Sequence, residues 1–293
     1  MLLGLIGCGR MGKALVLGAI DAGAVEPSGV IVFDVQPSAM EALRQQRPVE
    51  LASSVDELAR RADVLLLCTK PVDVSGVLRE IAACPSEARP LLISVAAGVT
   101  LETFQRALLD RARVIRAMPN TPALIRRGAA AFARGPKATD ADAALAARLL
   151  GAVGSVVEVP EYLLDAVTGL SGSGPAYAYL FIEALADGGV ANGLPREQAL
   201  QLAVQTVLGA AAMVQSTGDH PAVLRDMVTS PAGTTAAGLR ALESRAFRSA
   251  CLEAVTAATK RSRELGAPTV HEPPPKNPSS EPSRSRQPHA ERE

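Results

Sequence analysis

With 293 residues, 48% of them hydrophobic, the chain can build a sizeable core across two domains without disulfide or metal staples. Thirty basic residues balance thirty acidic ones, and a formal net charge of zero argues against a nucleic-acid or anionic-membrane partner. The four cysteines, Cys8, Cys68, Cys84 and Cys251, are scattered without CxxC spacing, so no metal site or disulfide framework is expected and a reduced, cytoplasmic protein is.

The chain opens into an apolar strand, Leu2-Leu3-Gly4-Leu5-Ile6, with no basic leader or cleavage site before it. Gly7-Cys8-Gly9-Arg10-Met11-Gly12 follows, and then a helix predicted over 13–22. Strand, glycine turn and helix is the order that a dinucleotide pyrophosphate needs. Gly7 permits the tight turn, Gly9 leaves no Cβ between backbone and phosphate, and Gly12 lets the helix close on the sheet. The phosphates then face free N–H groups at a helix N-terminus. A second strand over 30–33 ends at Asp34, twenty-two positions beyond Gly12. A carboxylate there accepts a hydrogen bond from a ribose 2′-hydroxyl and repels a 2′-phosphate.

Further apolar strands are predicted over 64–68, 91–95, 114–117, 129–133 and 156–159. Strands of this kind separated by helices predict an α/β Rossmann domain over 1–160, with a mostly parallel, doubly wound sheet. Three loops follow strand ends, where open α/β sheets bind ligands: Thr69-Lys70-Pro71, Ala96-Ala97-Gly98 and Met118-Pro119-Asn120-Thr121-Pro122. The same loops are open to a plainer reading, with prolines stopping strands and Lys70 a solvated charge.

Over 161–266 the β pattern gives way to alanine- and leucine-rich helical periodicity, predicting an all-α domain. The most apolar stretch, 199–214, is interrupted by Gln201 and Gln205 and is expected to be a buried helix, not a membrane span. Helices apolar on several faces need something to pack against, and a subunit interface would supply it. Two clusters stand out here. Ser171-Gly172-Ser173-Gly174-Pro175-Ala176 interrupts the helical pattern with glycines that admit a close neighbour. Ser230-Pro231-Ala232-Gly233-Thr234-Thr235 precedes a helix predicted over 236–244, where hydroxyls and free N–H groups suit a small carboxylate; N-capping by Ser230 or Thr234 is the alternative. Prolines, serines and balanced charges over 267–293 predict a disordered tail. That tail holds His271 and His289, leaving His220, beside Pro221, as a structural histidine. With no HExxH, Cys/His pair or GxSxG, the chemistry falls to a cofactor.

Taken in order, these motifs make the chain resemble the pyrroline-5-carboxylate reductase family from residue 3 to about 265. The most specific are Asp165-Ala166-Val167-Thr168-Gly169-Leu170-Ser171-Gly172-Ser173-Gly174-Pro175-Ala176-Tyr177 and Asp226-Met227-Val228-Thr229-Ser230-Pro231-Ala232-Gly233-Thr234-Thr235. The resemblance implies a helical dimerisation domain and hydride transfer from NADPH or NADH to a cyclic imine, giving L-proline. It implies dimers that often assemble into decamers. It places Ile6, Gly7, Cys8, Gly9, Arg10, Met11, Gly12, Thr69, Lys70, Pro71, Ala96, Ala97 and Asn120 around the cofactor, and Asp34 joins them by its position at the end of the second strand. Ser230, Gly233, Thr234 and Thr235 would hold the substrate, together with Glu161, and Thr235 would be the proton donor to the ring nitrogen.

The chain departs from the family pattern at two places. Ala232 stands where a second glycine is usual, either tightening the loop or fitting a helical φ. Ser53-Ser54-Val55 replaces a segment in which relatives carry an asparagine near the adenosine ribose. With Asp34 followed by Gln36 and Ser38 and no arginine, the sequence leans to NADH in a family that often uses NADPH. A reductase of another imine or hydroxy acid, and a dinucleotide-binding sensor without turnover, are the alternatives; the first wants a helical-half lysine, and Lys260 lies far from the glycine clusters in sequence.

Overall fold

The computed structural model describes residues 1–84, 90–109 and 112–266; the tail expected to be disordered lies outside them. Eight strands, β1 (Leu3–Ile6), β2 (Val30–Phe33), β3 (Glu50–Leu51), β4 (Val64–Leu67), β5 (Leu91–Ser94), β6 (Val114–Met118), β7 (Gly128–Arg134) and β8 (Gly154–Glu158), form one sheet. Its order is β3-β2-β1-β4-β5-β6-β7-β8. The two-residue β3 carries no apolar run and was not expected from the sequence. Every pairing is parallel except β6 with β7. The reason lies in the connection: only a short 3-10 turn, Thr121–Ile125, joins β6 to β7, and a parallel return needs a crossover of a dozen residues or so.

Helices α1 (Arg10–Asp21), α2 (Pro37–Arg44), α3 (Val55–Arg61), α4 (Val74–Ala83), α5 (Leu101–Ala107) and α6 (Asp140–Gly151) cover the two faces. Leu15 and Val16 of α1, Leu43 of α2 and Leu149 of α6 pack with Leu3, Leu5 and Leu66 on one side. Leu58 of α3, Leu78 of α4 and Phe104 of α5 pack with Leu65 and Leu67 on the other, as the alternation of strand side chains requires. Polar starts fix the helix entries: Ser54 Oγ accepts Glu57 N–H at 3.1 Å, and Thr139 with Asp142 forms a reciprocal capping box on α6.

The second half is helical: α7 (Leu164–Val167), α8 (Gly174–Ala191), α9 (Arg196–Thr217), α10 (Pro221–Met227), α11 (Thr234–Ser244) and α12 (Phe247–Gly266). The helical pattern is interrupted here as expected: α7 reaches α8 through a π-helical turn, Thr168–Gly172, and a bend at Ser173. Of the two glycines in the cluster, Gly172 admits a close neighbour, Met118 Cε at 2.8 Å from the position of a Cβ, whereas a Cβ on Gly174 would meet nothing within 4 Å. A Cβ on Gly169 would lie 2.3 Å from Thr259 Oγ1 and 2.7 Å from the Val255 carbonyl oxygen, so α12 sits directly on the π turn. At its end α12 returns to the sheet half, where Gly98, in the loop after β5, meets Leu265 and Gly266.

The antiparallel pair α8 and α9 packs mainly on itself. Its buried side chains are Ala186, Ala199 and Ala203, whereas Leu180 is 68%, Leu202 56% and Leu208 59% exposed. The helix expected to be buried over 199–214 is therefore largely uncovered in the single chain. By length and composition alone α9 could also cross a membrane. Among the described residues, the element that packs against α9 to any extent is α8.

Candidate dinucleotide and substrate site

The glycine turn follows its expected logic residue by residue. Gly7 has φ +98°, and a Cβ on it would stand 2.8 Å from the Cys68 carbonyl. Gly12 is tighter still, since its Cβ would fall 2.1 Å from the Gly7 carbonyl oxygen. Gly9 is the opposite case. It caps α1 from extended backbone with no side-chain bond, and its Cβ would meet nothing within 4 Å. The first helical bond, Lys13 N–H to Gly9 oxygen at 3.0 Å, leaves the N–H groups of the first turn without intrahelical partners beside that open space. The helix begins at Arg10, three residues earlier than predicted, so Arg10 and Met11 belong to its first turn.

Asp34 anchors this turn. Its Oδ2 accepts Cys8 N–H at 2.7 Å and its Oδ1 accepts Gln36 N–H at 2.8 Å. Burial, with Asp34 as a lesser cause, pushes the Cys8 thiol up to about 12, and burial does the same to Cys68. Both stay protonated at neutral pH and serve as packing, with Ile6 buried behind them.

The loops after the strands divide. Thr69 Oγ1 is the buried side-chain oxygen that has no hydrogen-bond partner among the described residues. It belongs to the residue whose backbone nitrogen lies 3.0 Å from the position of a Cβ on Gly7. An orphaned hydroxyl beside an open space over a helix N-terminus fits a bound dinucleotide. Lys70, Pro71 and Ala97 are exposed and Ala96 is buried. The Asn120 side chain is committed elsewhere: Oδ1 accepts Ala129 N–H at 2.8 Å and Nδ2 donates to the Ser171 oxygen at 3.0 Å, tying the end of β6 to the π turn.

In the helical half, α11 starts at Thr234, two residues before its predicted start. Its N-cap is Gly233, with no side-chain cap bond, so neither Ser230 nor Thr234 does that work. Gly233 N–H is spent on the Ser230 oxygen at 3.0 Å, and the first helical bond is Ala237 N–H to Gly233 oxygen at 3.2 Å. The N–H groups of Thr234, Thr235 and Ala236 precede that bond and are the free donors here. Ala232 adopts φ +55°, a left-handed conformation that favours glycine, which rules out the helical-φ alternative for this residue. Among the described residues no hydrogen bond or ion pair joins 230–235 to the glycine turn. His220 caps α10, its Nδ1 accepting Ala222 N–H at 3.2 Å.

Glu161 sits at the junction of the halves. Its Oε1 accepts Leu101 N–H at 2.7 Å and Arg116 Nη1 at 3.0 Å. Arg116, its side chain only 8% exposed, was not singled out from the sequence. The available signal was a charge inside the apolar run Val114-Ile115-Arg116-Ala117.

Residues 2–98 match the family described as NADP oxidoreductase, coenzyme F420-dependent, and this with the glycine turn places the chain among nucleotide-dependent oxidoreductases of the Rossmann class. Residues 161–265 match the pyrroline-5-carboxylate reductase dimerisation family. The pyrroline-5-carboxylate reductase of Methanosarcina acetivorans is 46% identical over 264 residues, covering 90% of this chain and 97% of that one. The solved reductase of Coxiella burnetii superposes with a TM-score of 0.87 at 36% identity, covering 90% of this chain and 98% of the other. That of Plasmodium falciparum, solved with NADP bound, gives 0.80 at 32% identity over 91% and 98%. The chain belongs to the pyrroline-5-carboxylate reductase family.

Proposed function

We propose that this chain reduces pyrroline-5-carboxylate to L-proline with a hydride from NAD(P)H. The observation that carries the reading is similarity over nearly the whole chain: 97% of the Methanosarcina reductase is covered, and the dimerisation match over 161–265 spans the loop 230–235. The cofactor supplies the hydride to the C=N carbon. The chain's own task is to orient the imine and hand its nitrogen one proton, which together with the hydride at carbon converts C=N to CH–NH; the donor regains its proton from water.

A cyclic imine accepts hydride readily once protonated, so a mild donor in the right place suffices. The Thr235 hydroxyl is our candidate for that donor. The free N–H groups of Thr234 and Thr235 at the start of α11 would neutralise the carboxylate, with Ser230 beside them. Gly233, its own N–H committed, serves by leaving space: a Cβ there would fall 2.3 Å from Ser230 Oγ. Ile6 through Gly12, with Asp34, Thr69 to Pro71, Ala96-Ala97 and the Asn120 turn, forms the cofactor side. The bonds of Glu161 to Arg116 and Leu101 favour a part in holding the two halves together over direct substrate contact.

We further infer that the halves divide at 160/161, where the dimerisation match begins, and that the uncovered α8 and α9 surface is the dimer contact. Higher assembly to a decamer, a cytoplasmic setting and the absence of nucleic-acid or membrane partners complete this reading, the last supported by the balanced charge. Light scattering that returned a monomer would overturn the interface. The catalytic reading is tested by steady-state oxidation of NADH and NADPH with pyrroline-5-carboxylate. A Thr235→Ala enzyme should lose about 10²-fold or more in kcat with its fold intact; unchanged kcat and KM would remove Thr235 from the mechanism.

A further inference from the structure

We propose that Asp34 makes this chain discriminate against the 2′-phosphate of NADPH, because its carboxylate is fixed by two backbone donors at the adenosine end of the crevice. The inference rests on the dinucleotide-binding reading above.

An acidic residue at the carboxyl end of the second Rossmann strand addresses the adenosine ribose. A mobile carboxylate there can turn away from an incoming phosphate. Asp34 lacks that freedom. Its two oxygens are held by N–H groups from different segments, Cys8 in the glycine turn at 2.7 Å and Gln36 in the β2–α2 connection at 2.8 Å. Rotation would break both charge-assisted bonds and loosen the glycine turn that one of them steadies. Each oxygen retains a lone pair, so a 2′-hydroxyl can still donate to it.

No cation follows Asp34 in its own connection to offset the clash. The segment behind Asp34 reads Val35-Gln36-Pro37-Ser38, all exposed and none cationic. Among the described residues no cation pairs with Asp34. The cations of the first turns of α1, Arg10 and Lys13, line a groove that runs along that helix to Asp21, where Arg47 and Arg126 are paired. The solved Plasmodium falciparum relative holds NADP, so the fold as such admits the phosphate and the discrimination belongs to this chain's residues.

The test is direct binding to the full chain, read from the fluorescence of the reduced nicotinamide; the chain contains no tryptophan to obscure it. NADH should bind about tenfold or more tightly than NADPH, and 5′-ADP should compete better than adenosine 2′,5′-bisphosphate. In Asp34→Asn and Asp34→Ser the ratio should fall to about threefold or less, through tighter NADPH binding. Equal affinities in the parent chain, or a preference that survives both substitutions, would overturn the proposal. If neither nucleotide binds the parent chain, the dinucleotide reading falls with it.

Discussion

Gly9 and Gly12 lie three residues apart in one turn, yet alanine at each should do different damage. At Gly12 the added methyl would fall 2.1 Å from the Gly7 carbonyl oxygen, 3.1 Å from Leu5 Cδ1 and 3.3 Å from Cys68 Cβ. The closest obstacle is backbone in a turn that cannot yield without moving Gly7, itself at φ +98° against Cys68. Overpacking costs ~1–3 kcal/mol where side chains can give way, so about 3 kcal/mol is expected here. In a chain of this size that is a fall in Tm of roughly 6–12 °C. At Gly9 the methyl meets nothing, and replacing a glycine N-cap by alanine costs under ~1 kcal/mol. Gly9→Ala should therefore melt within about 4 °C of the parent while losing most of its affinity for NADH, because the methyl occupies the space left for the pyrophosphate. Thermal denaturation and nucleotide titration on the two variants check both halves. Parent-like cofactor binding by Gly9→Ala, or a parent-like Tm for Gly12→Ala, would refute the assignment of these glycines.

Three further outcomes are expected. Glu161→Gln removes the charge facing buried Arg116; breaking a fully buried pair costs ~3–5 kcal/mol, and the 31% exposure of Glu161 should reduce this to about 1–3 kcal/mol in urea unfolding. Ala232→Gly relieves a left-handed alanine at φ +55° and should stabilise the chain by about 0.5–1 kcal/mol after the extra chain entropy is subtracted; a loss of stability would show that the backbone is not strained there. The Cys8 thiol, at about 12 in the folded chain against 9.0 for the ordinary group, contributes stability that is fully present below pH 9 and is lost as the pH rises towards 12, since unfolded thiols ionise first. Tm measured from pH 8 to 11 should fall less steeply in Cys8→Ala than in the parent.

The sheet half was legible because strand, glycine turn and helix each obey a local rule. Apolar runs announced β1, β2, β4, β5 and β6, and the demands on Gly7 and Gly12 could be stated from their spacing alone. The antiparallel turn of β7 was not legible, since an apolar strand carries no mark of its direction and only the length of the connection decides it. Thr121-Pro122-Ala123 reads as a loop; that it replaces a crossover helix is visible only in three dimensions. The committed side chains of Asn120 and Glu161 were hidden for a related reason. Their partners, Ser171, Arg116 and Leu101, lie 45 to 60 positions away, and no periodicity carries such a pairing. At Ser230 to Thr235 the sequence displayed the hydroxyls and the glycine, while the capping role of Gly233 and the left-handed Ala232 needed backbone angles.

The uncovered α8–α9 pair also has a consequence for the life of the newly made chain. The sheet half can complete its core within one polypeptide, at a rate independent of how many copies surround it. If α8 and α9 form the dimer contact proposed above, completion of the helical half is a second-order event governed by encounter with another copy. At low abundance the chain would stay a half-finished product with a sticky hairpin, open to proteases and chaperones. Its melting temperature should then climb with protein concentration, and dilution alone should unmake it.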